Sequence, residues 1–151
     1  MPAEDVSVDV VLDDRQNEHA VDGDRYARLL DESLRARGIS APAEVGLAFI
    51  DTDEMAELNI HHMGGTGPTD VLAFPIDGSG QVPEGQPALL GDIVMCPAVA
   101  AKAPQPLEDE LALLVVHGAL HLLGHDHAEP DETAIMRGLE SELLTSYWTP
   151  Q

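Results

Sequence analysis

A run of three histidines near residue 120, spaced by four and six residues, is the strongest chemical signal in this 151-residue chain. The run reads H-G-x-x-H-x-x-G-x-x-H and contains His117, Gly118, His121, Gly124 and His127. Histidines four residues apart lie on the same face of a helix, so the rings of His117 and His121 can converge on one ion. A glycine at 124 can end that helix and turn the chain back, which brings His127 toward the pair. Three neutral imidazoles with a fourth position left to water are typical of catalytic zinc, and we predict such a site here.

Gly118 decides which reaction the site can support. In the zinc-peptidase signature H-E-x-x-H-x-x-G-x-x-H, this position holds the glutamate that acts as general base. Its absence argues against ordinary peptide hydrolysis. A zinc-bound water can still ionise near neutral pH, because the cation lowers its pKa to about 7. We therefore predict the zinc-bound water as the catalytic group, assign no protein general base, and leave hydrolysis of other esters open, phosphodiesters included.

Composition and charge bound the class of protein. A chain of 151 residues with 44% hydrophobic content is expected to form a single domain over residues 1–151. We expect a cytoplasmic protein that does not contact membranes, because the chain lacks a signal-peptide pattern, has one cysteine, Cys96, and contains no long apolar run. The formal net charge of -21 would repel RNA, since phosphate binding normally relies on lysine and arginine. A high-salt cytoplasm or delivery by a protein partner would reconcile this charge with an RNA substrate.

Hydrophobic periodicity predicts the elements that must position the histidines. A long helix is expected from residue 107 to residue 123, apolar on nearly all sides and therefore central and buried. A second helix is expected at 22–37 with Asp22 as its cap. A short capped helix is expected to begin at Thr52 and to end before the glycines at 64 and 65. A last helix is expected from Asp131 onward. Residues 135, 136, 139 and 143 of the last helix are expected to face inward. Strands are expected at 6–12, 45–50, 71–74 and 89–95, the last with either a bulge or a close backbone approach at Gly91-Asp92, and a loop is expected at 77–86.

With these motifs in place, the chain resembles the YbeY family of metal-dependent endoribonucleases, which act in bacterial ribosomal RNA maturation. The likeness covers roughly residues 45–145 and includes P-T-D-V-L-A-F-P at 68–75, G-D-I at 91–93 and the histidine run. The resemblance implies an α+β fold, in which a small mixed β-sheet packs with helices beside the central histidine-bearing helix. It also implies one zinc ion per chain held by His117, His121 and His127. The implied activity is cleavage of single-stranded RNA in 16S rRNA 3′-end maturation and ribosome quality control, with ribosomal proteins or subunits as partners.

The chain departs from the family pattern at four positions. Met63 stands where many members have an arginine, and His62, Ala73 and His125 stand where an aromatic residue, serine and tyrosine are common. The missing arginine matters most, because a guanidinium would steady a phosphate and its developing charge. The candidate substrate groove comprises His61, His62, Met63, Thr69 and His125.

Two aspartates are candidates for orienting the ligand imidazoles. Asp126 lies within the histidine run and Asp70 lies in the 68–75 block. Histidines that bind metals usually donate their other ring N–H to such a carboxylate. The alternative is that Asp126 only caps a turn and Asp70 only begins a strand.

Two other functions compete with the ribonuclease hypothesis. A zinc peptidase is favoured by the histidine spacing and opposed by Gly118. A non-catalytic assembly factor, in which zinc only braces the fold, is favoured by the net charge, because an acidic surface can dock a basic ribosomal protein.

Overall fold

Strands and helices alternate in the first part of the chain, and three helices follow the last described strand. The structure is a computed structural model that describes residues 8–65, 67–76, 86–125 and 129–148, without the side chains of residues 62 and 63. Its described elements are β1 (Asp9–Asp14), α1 (Gly23–Ala36), β2 (Ala43–Phe49), α2 (Thr52–Met63), β3 (Val71–Pro75), β4 (Ala88–Met95), α3 (Pro97–Ala100), α4 (Leu107–Leu122) and α5 (Pro130–Tyr147). No helix within the described ranges is long and apolar enough to cross a membrane.

The four described strands form one mixed sheet in the order β1-β2-β4-β3. Strand β2 pairs in parallel with both β1 and β4, and β3 pairs antiparallel with β4. A bulge interrupts the β2–β4 register, because Glu44 pairs with Leu89 while the next residue, Val45, pairs with Gly91. Gly91 has a φ of +128°, and a Cβ there would collide with the Phe74 carbonyl of β3. The predicted α+β fold with a small mixed sheet is confirmed, as is the close backbone approach at Gly91, whereas the bulge lies one residue before the predicted Gly91-Asp92 pair, at Leu90.

Helices cover both faces of the sheet unequally. The main core lies between one face of the sheet and helices α1, α4 and α5, and it buries side chains from all of these elements. A smaller cluster on the other face lies beside α2 and contains Ile50, Met55, Leu72, Val94 and Cys96. Cys96 is buried at the end of β4, as its small apolar side chain suggests.

Helix α4 is the central buried element that the sequence predicted. Its buried residues are distributed around the helix: Leu111, Ala112, Leu114, Val115, Val116, Gly118, Ala119 and Leu120. The helix ends as predicted, at Gly124, which has a φ of +95°. The Gly124 N–H donates to the His121 carbonyl and the His125 N–H donates to the Leu120 carbonyl, both at 3.0 Å. These two bonds form a Schellman motif, which turns the chain out of the helix directly after His121.

Several helix starts differ from prediction because neighbouring residues cap better. Helix α2 is capped by Asp51 rather than Thr52, since the Asp51 carboxylate accepts from the Glu54 N–H at 2.9 Å. Helix α5 begins at Pro130, one residue before the predicted cap Asp131, because proline is favoured in the first helical position. Asp22 occupies the N-cap position of α1 but makes no side-chain capping bond.

The predicted inward face of α5 was partly wrong. Ile135 is 58% exposed, whereas Met136 and Leu143 are buried. Helix α5 packs by a stripe narrower than the sequence suggested, and Ile135 falls outside it. Glu140 lies on this stripe and is only 9% exposed, which the sequence analysis did not anticipate.

Strand bounds shift by a few residues, and α3 was not predicted. Strand β1 begins at Asp9 rather than residue 6, although Val8 is buried and Val10 contacts the core as expected. Residues 1–7 and 77–85, which carry the start of that predicted strand and nearly all of the predicted loop, lie outside the described residues.

The end of α5 is anchored to the start of α4 and to α1 by an aromatic cluster. Trp148 stacks on Tyr26 with ring centroids 5.3 Å apart, and the guanidinium of Arg25 lies 3.7 Å from the Trp148 ring centre. The indole N–H of Trp148 donates to the Asp109 carboxylate at 3.1 Å. Burial raises the pKa of Tyr26 to about 12, so its hydroxyl stays neutral throughout the physiological range.

Replacing Trp148 should weaken the whole fold, because this cluster joins three helices. We expect Trp148→Ala to lower the free energy of unfolding by about 3 kcal/mol. Trp148→Phe keeps an aromatic ring but loses the bond to Asp109, so a loss of about 1 kcal/mol is expected. Urea unfolding followed by circular dichroism measures both values. Equal stability of Trp148→Ala and the wild-type protein would contradict this account of the cluster.

Candidate metal centre

The two histidines predicted to share a helix face do meet. The Nε2 atoms of His117 and His121 lie 3.1 Å apart, and the rings meet edge to face at 75°. Both side chains project from the last turns of α4, where the helix leaves the core, and both residues are partly exposed. The i, i+4 spacing therefore brings two imidazole nitrogens to one point at an accessible position.

The remaining part of the predicted ligand set lies beyond what the structure describes. His127 and Asp126 fall within residues 126–128, which are outside the described residues. Among the side chains that are described, no group of three or more histidine, cysteine or acidic residues is arranged to hold a metal ion. The roles of His127 and Asp126 thus stay predictions.

The described pair can be compared with the geometry that zinc requires. Zinc binds histidine nitrogen at about 2.0–2.1 Å with tetrahedral angles, which places two ligand nitrogens about 3.3 Å apart. The observed separation of 3.1 Å between the two Nε2 atoms is close to this value. The donor set, two neutral imidazoles, also suits zinc.

A buried carboxylate contacts the opposite side of His117. Oε2 of Glu140, on α5, lies 2.6 Å from Nδ1 of His117, and the Glu140 side chain is 12% exposed. The sequence analysis missed this residue and considered only Asp126 and Asp70 for the role. The available signal was its spacing, since position 140 follows Met136 by four residues and precedes Leu143 by three on the buried face.

Gly118 lies in the contact between α4 and the sheet. A Cβ at this position would lie 3.0–3.1 Å from three side-chain atoms of Ile93 on β4. Glycine therefore lets the helix approach the strand closely. Any side chain at this position would require Ile93 to shift by a few tenths of an ångström, so the contact disfavours the glutamate that zinc peptidases carry there.

The other predicted site residues occupy several elements. His61 is exposed on α2, Thr69 is partly exposed ahead of β3, and His125 is half-buried just after α4. The Asp70 carbonyl accepts from the Cys96 N–H at 2.9 Å, which matches the alternative that this residue begins a strand. His62 and Met63 belong to the last turn of α2, and their side chains lie outside the description. The substrate-binding roles of all these residues, and the carboxylate role of Asp70, stay predictions.

Two concave surfaces lie near these residues. A cavity of about 150 Å³ borders the histidine centre and is lined by His117, Thr133, Met136, Arg137 and Glu140. A larger groove of about 830 Å³ lies over the sheet face opposite to the main core. Its lining includes Asp13, Glu44, Glu54 and Asp92 against one cation, Arg15, which is itself bound to Asp13 and Glu54.

Introducing the missing glutamate tests whether position 118 is closed to it. We expect Gly118→Glu to lower the free energy of unfolding by more than about 3 kcal/mol, because it forces a charged side chain between α4 and Ile93. The matched control is Gly138→Glu, since a Cβ at Gly138 on α5 meets no atom within 4 Å. Chemical denaturation gives both values, and casein digestion gives the activity. A stable Gly118→Glu protein that digests casein would contradict this interpretation.

The chain was compared with known protein families and structures. The family described as Endoribonuclease YbeY matches residues 11–148. The Endoribonuclease YbeY of Salinispora tropica is 49% identical over 140 residues, covering 84% of this chain and 88% of the relative. That of Thermobifida fusca is 42% identical over 153 aligned positions and covers 94% of each chain. A solution structure of a Thermotoga maritima protein has a TM-score of 0.55 at 24% identity over 91% of each chain, and so shares the fold. This chain therefore belongs to the YbeY family of endoribonucleases.

Proposed function

We propose that this endoribonuclease depends on zinc and cleaves single-stranded RNA during maturation of the 16S rRNA 3′ end and ribosome quality control. His117, His121 and His127 hold one zinc ion per chain in this proposal. The observation that carries it is the 3.1 Å approach of the Nε2 atoms of His117 and His121. The family relationship supports RNA as the substrate class.

The chemistry proposed for the site follows from what the chain places there. A bound zinc ion would act as a Lewis acid on the scissile phosphodiester and lower the pKa of a water molecule. The chain contributes the imidazoles of His117 and His121 at the surface end of α4, within reach of an RNA strand. Its glycine at 118 leaves no peptidase-type carboxylate beside them. We assign no protein general base.

The RNA 2′-hydroxyl is a nucleophile that the substrate itself can supply. If it attacks the adjacent phosphorus, its proton leaves with a base, the bond to the 5′ oxygen breaks, and the products carry a cyclic phosphate and a 5′-hydroxyl. Direct hydrolysis by water does not form the cyclic product. Analysis of the product ends by mass spectrometry separates the two routes, and a 3′-hydroxyl end would exclude attack by the 2′-hydroxyl.

A ribosomal protein or subunit is the proposed partner. The net charge of -21 opposes contact with naked RNA, and the charged residues that line the large groove over the sheet are four carboxylates and one arginine. Such a groove favours a basic protein surface, which would deliver the enzyme to its substrate. We expect weak and steeply salt-dependent binding to isolated RNA. Filter binding over a series of salt concentrations, with and without purified small subunits, measures the difference.

The non-catalytic assembly factor remains the second candidate function, because the same acidic groove supports docking without requiring chemistry. The peptidase has less support, because Ile93 occupies the space that its glutamate would need. The zinc-dependent nuclease cleaves RNA and needs the histidines to do so, whereas the assembly factor does not cleave RNA.

The decisive test compares cleavage of a labelled single-stranded RNA by zinc-loaded wild-type and His117→Ala proteins. We expect the variant to lose activity by at least about 100-fold, because a ligand is lost. His19→Ala is the matched control, since it removes an imidazole from the connection between β1 and α1 and should retain full activity. Removal of metal with a chelator should abolish cleavage, and added zinc should restore it.

Each result has a separate meaning. Equal cleavage by the wild-type and His117→Ala proteins would contradict the assignment of catalysis to this centre. Absence of cleavage by all proteins, with ribosome binding retained by a folded His121→Ala variant, would favour the assembly factor over the zinc-dependent nuclease.

A further inference from the structure

We propose that Glu140 is the positioning residue of the histidine centre. Its carboxylate holds His117 in the tautomer and ring orientation that metal binding requires. This inference rests on the proposed zinc site and extends it to a residue on a different helix. The residues predicted from the sequence to bind or orient the zinc ion do not include this position.

The contact has the geometry of a strong, charge-assisted hydrogen bond. Oε2 of Glu140 lies 2.6 Å from Nδ1 of His117, at the short end of the range for such bonds. The Glu140 side chain is 12% exposed and the His117 side chain is 28% exposed, so solvent screens the pair weakly. A carboxylate is costly to bury unless it is paired. Its placement on the buried stripe of α5 therefore requires a partner, and the partner is a predicted metal ligand.

The contact favours one tautomer of the imidazole. The ionised form of a carboxylate can only accept, so in our proposal Nδ1 of His117 carries the proton and donates it to Glu140. In the neutral ring, Nε2 is then left with its lone pair, and this nitrogen faces His121. A lone pair at Nε2 is what a metal ligand needs. Glu140 thus prepares His117 before an ion arrives, and its negative charge offsets the positive charge that the ion brings.

The His117–His121 contact agrees with this assignment. With a lone pair on Nε2 of His117, the 3.1 Å contact can be a hydrogen bond donated by Nε2–H of His121. Proton positions then alternate along the series from Glu140 through His117 to His121. Binding of an ion would require only His121 to change its tautomer.

A purely structural role for Glu140 would consist of joining α5 to α4. That role predicts a loss of stability in the metal-free protein but an unchanged affinity of the folded protein for zinc. The positioning role predicts a loss of affinity even where folding is retained. The affinity of folded protein for zinc therefore distinguishes the two roles.

The experiment measures zinc affinity by competition with a chromophoric chelator, using metal-free protein that is shown to be folded by circular dichroism. We expect Glu140→Ala to weaken binding by about 10- to 100-fold, as loss of such partners does in other zinc sites. Glu140→Gln is nearly isosteric and can still accept the Nδ1–H bond, but it lacks the charge, so an intermediate loss is expected. Glu142→Ala removes an exposed carboxylate from the same helix and should bind like the wild type.

Nitrogen-15 NMR of the histidine rings in the metal-free protein provides a second readout. We expect His117 to be the Nδ1–H tautomer in the wild type and a mixture of tautomers in Glu140→Ala. Unchanged zinc affinity in both folded Glu140 variants, or an Nε2–H tautomer of His117 in the wild type, would overturn the inference. If Glu140→Ala does not fold, the Glu140→Gln affinity and the wild-type tautomer decide the question.

These outcomes are separable from failure of the proposed function. Equal zinc affinity of the wild-type and His117→Ala proteins would refute the proposed zinc site, and the positioning role with it. If zinc affinity falls in His117→Ala but is unchanged in the folded Glu140 variants, the positioning role alone would be refuted.

Discussion

Burial of α4 is the constraint on which the rest of this structure depends. The helix carries buried side chains around most of its circumference, so it is stable only when other elements enclose it. The sheet packs against it through the close approach of Gly118 to Ile93, and α1 and α5 cover its other sides. Enclosure on this scale holds the helix backbone in one position. The rings of His117 and His121 are attached to this fixed backbone, so their positions are better defined than they would be on a mobile loop.

Polar groups are tolerated in such an environment only where each finds a partner. The histidines lie in the last turns of α4, where the Schellman motif at Gly124 turns the chain toward the surface. His117 lies next to the carboxylate of Glu140, and His121 lies next to His117. The same arrangement that satisfies buried polar groups also places two imidazole nitrogens side by side. Stability and chemical competence therefore arise from one set of contacts.

The sequence predicted well wherever a pattern is local. The period of apolar residues located α1 and α4, and the glycine at 124 marked the end of α4, because helix geometry and left-handed backbone are properties of short segments. The sequence predicted less well where tertiary packing decides which side chains are buried and which residue caps a helix. Ile135 had the right spacing for burial but α5 turns it outward, and Asp51 capped α2 in place of its neighbour. Glu140 was missed because a glutamate on a helix is usually solvated, and only the packing of α5 against α4 reveals its partner.

The two polar contacts between α4 and α5 share one spacing. Asp109 and His117 are eight residues apart on α4. Their partners, Trp148 directly after α5 and Glu140 on α5, are also eight residues apart, in the opposite direction. Each interval spans about 12 Å along a helix, so the two contacts together fix the position of α5 along the antiparallel helix α4. A shift of α5 by one helical turn relative to α4 would break both hydrogen bonds at once. The residue that directly follows α5 therefore helps to set the register of the helix that carries Glu140.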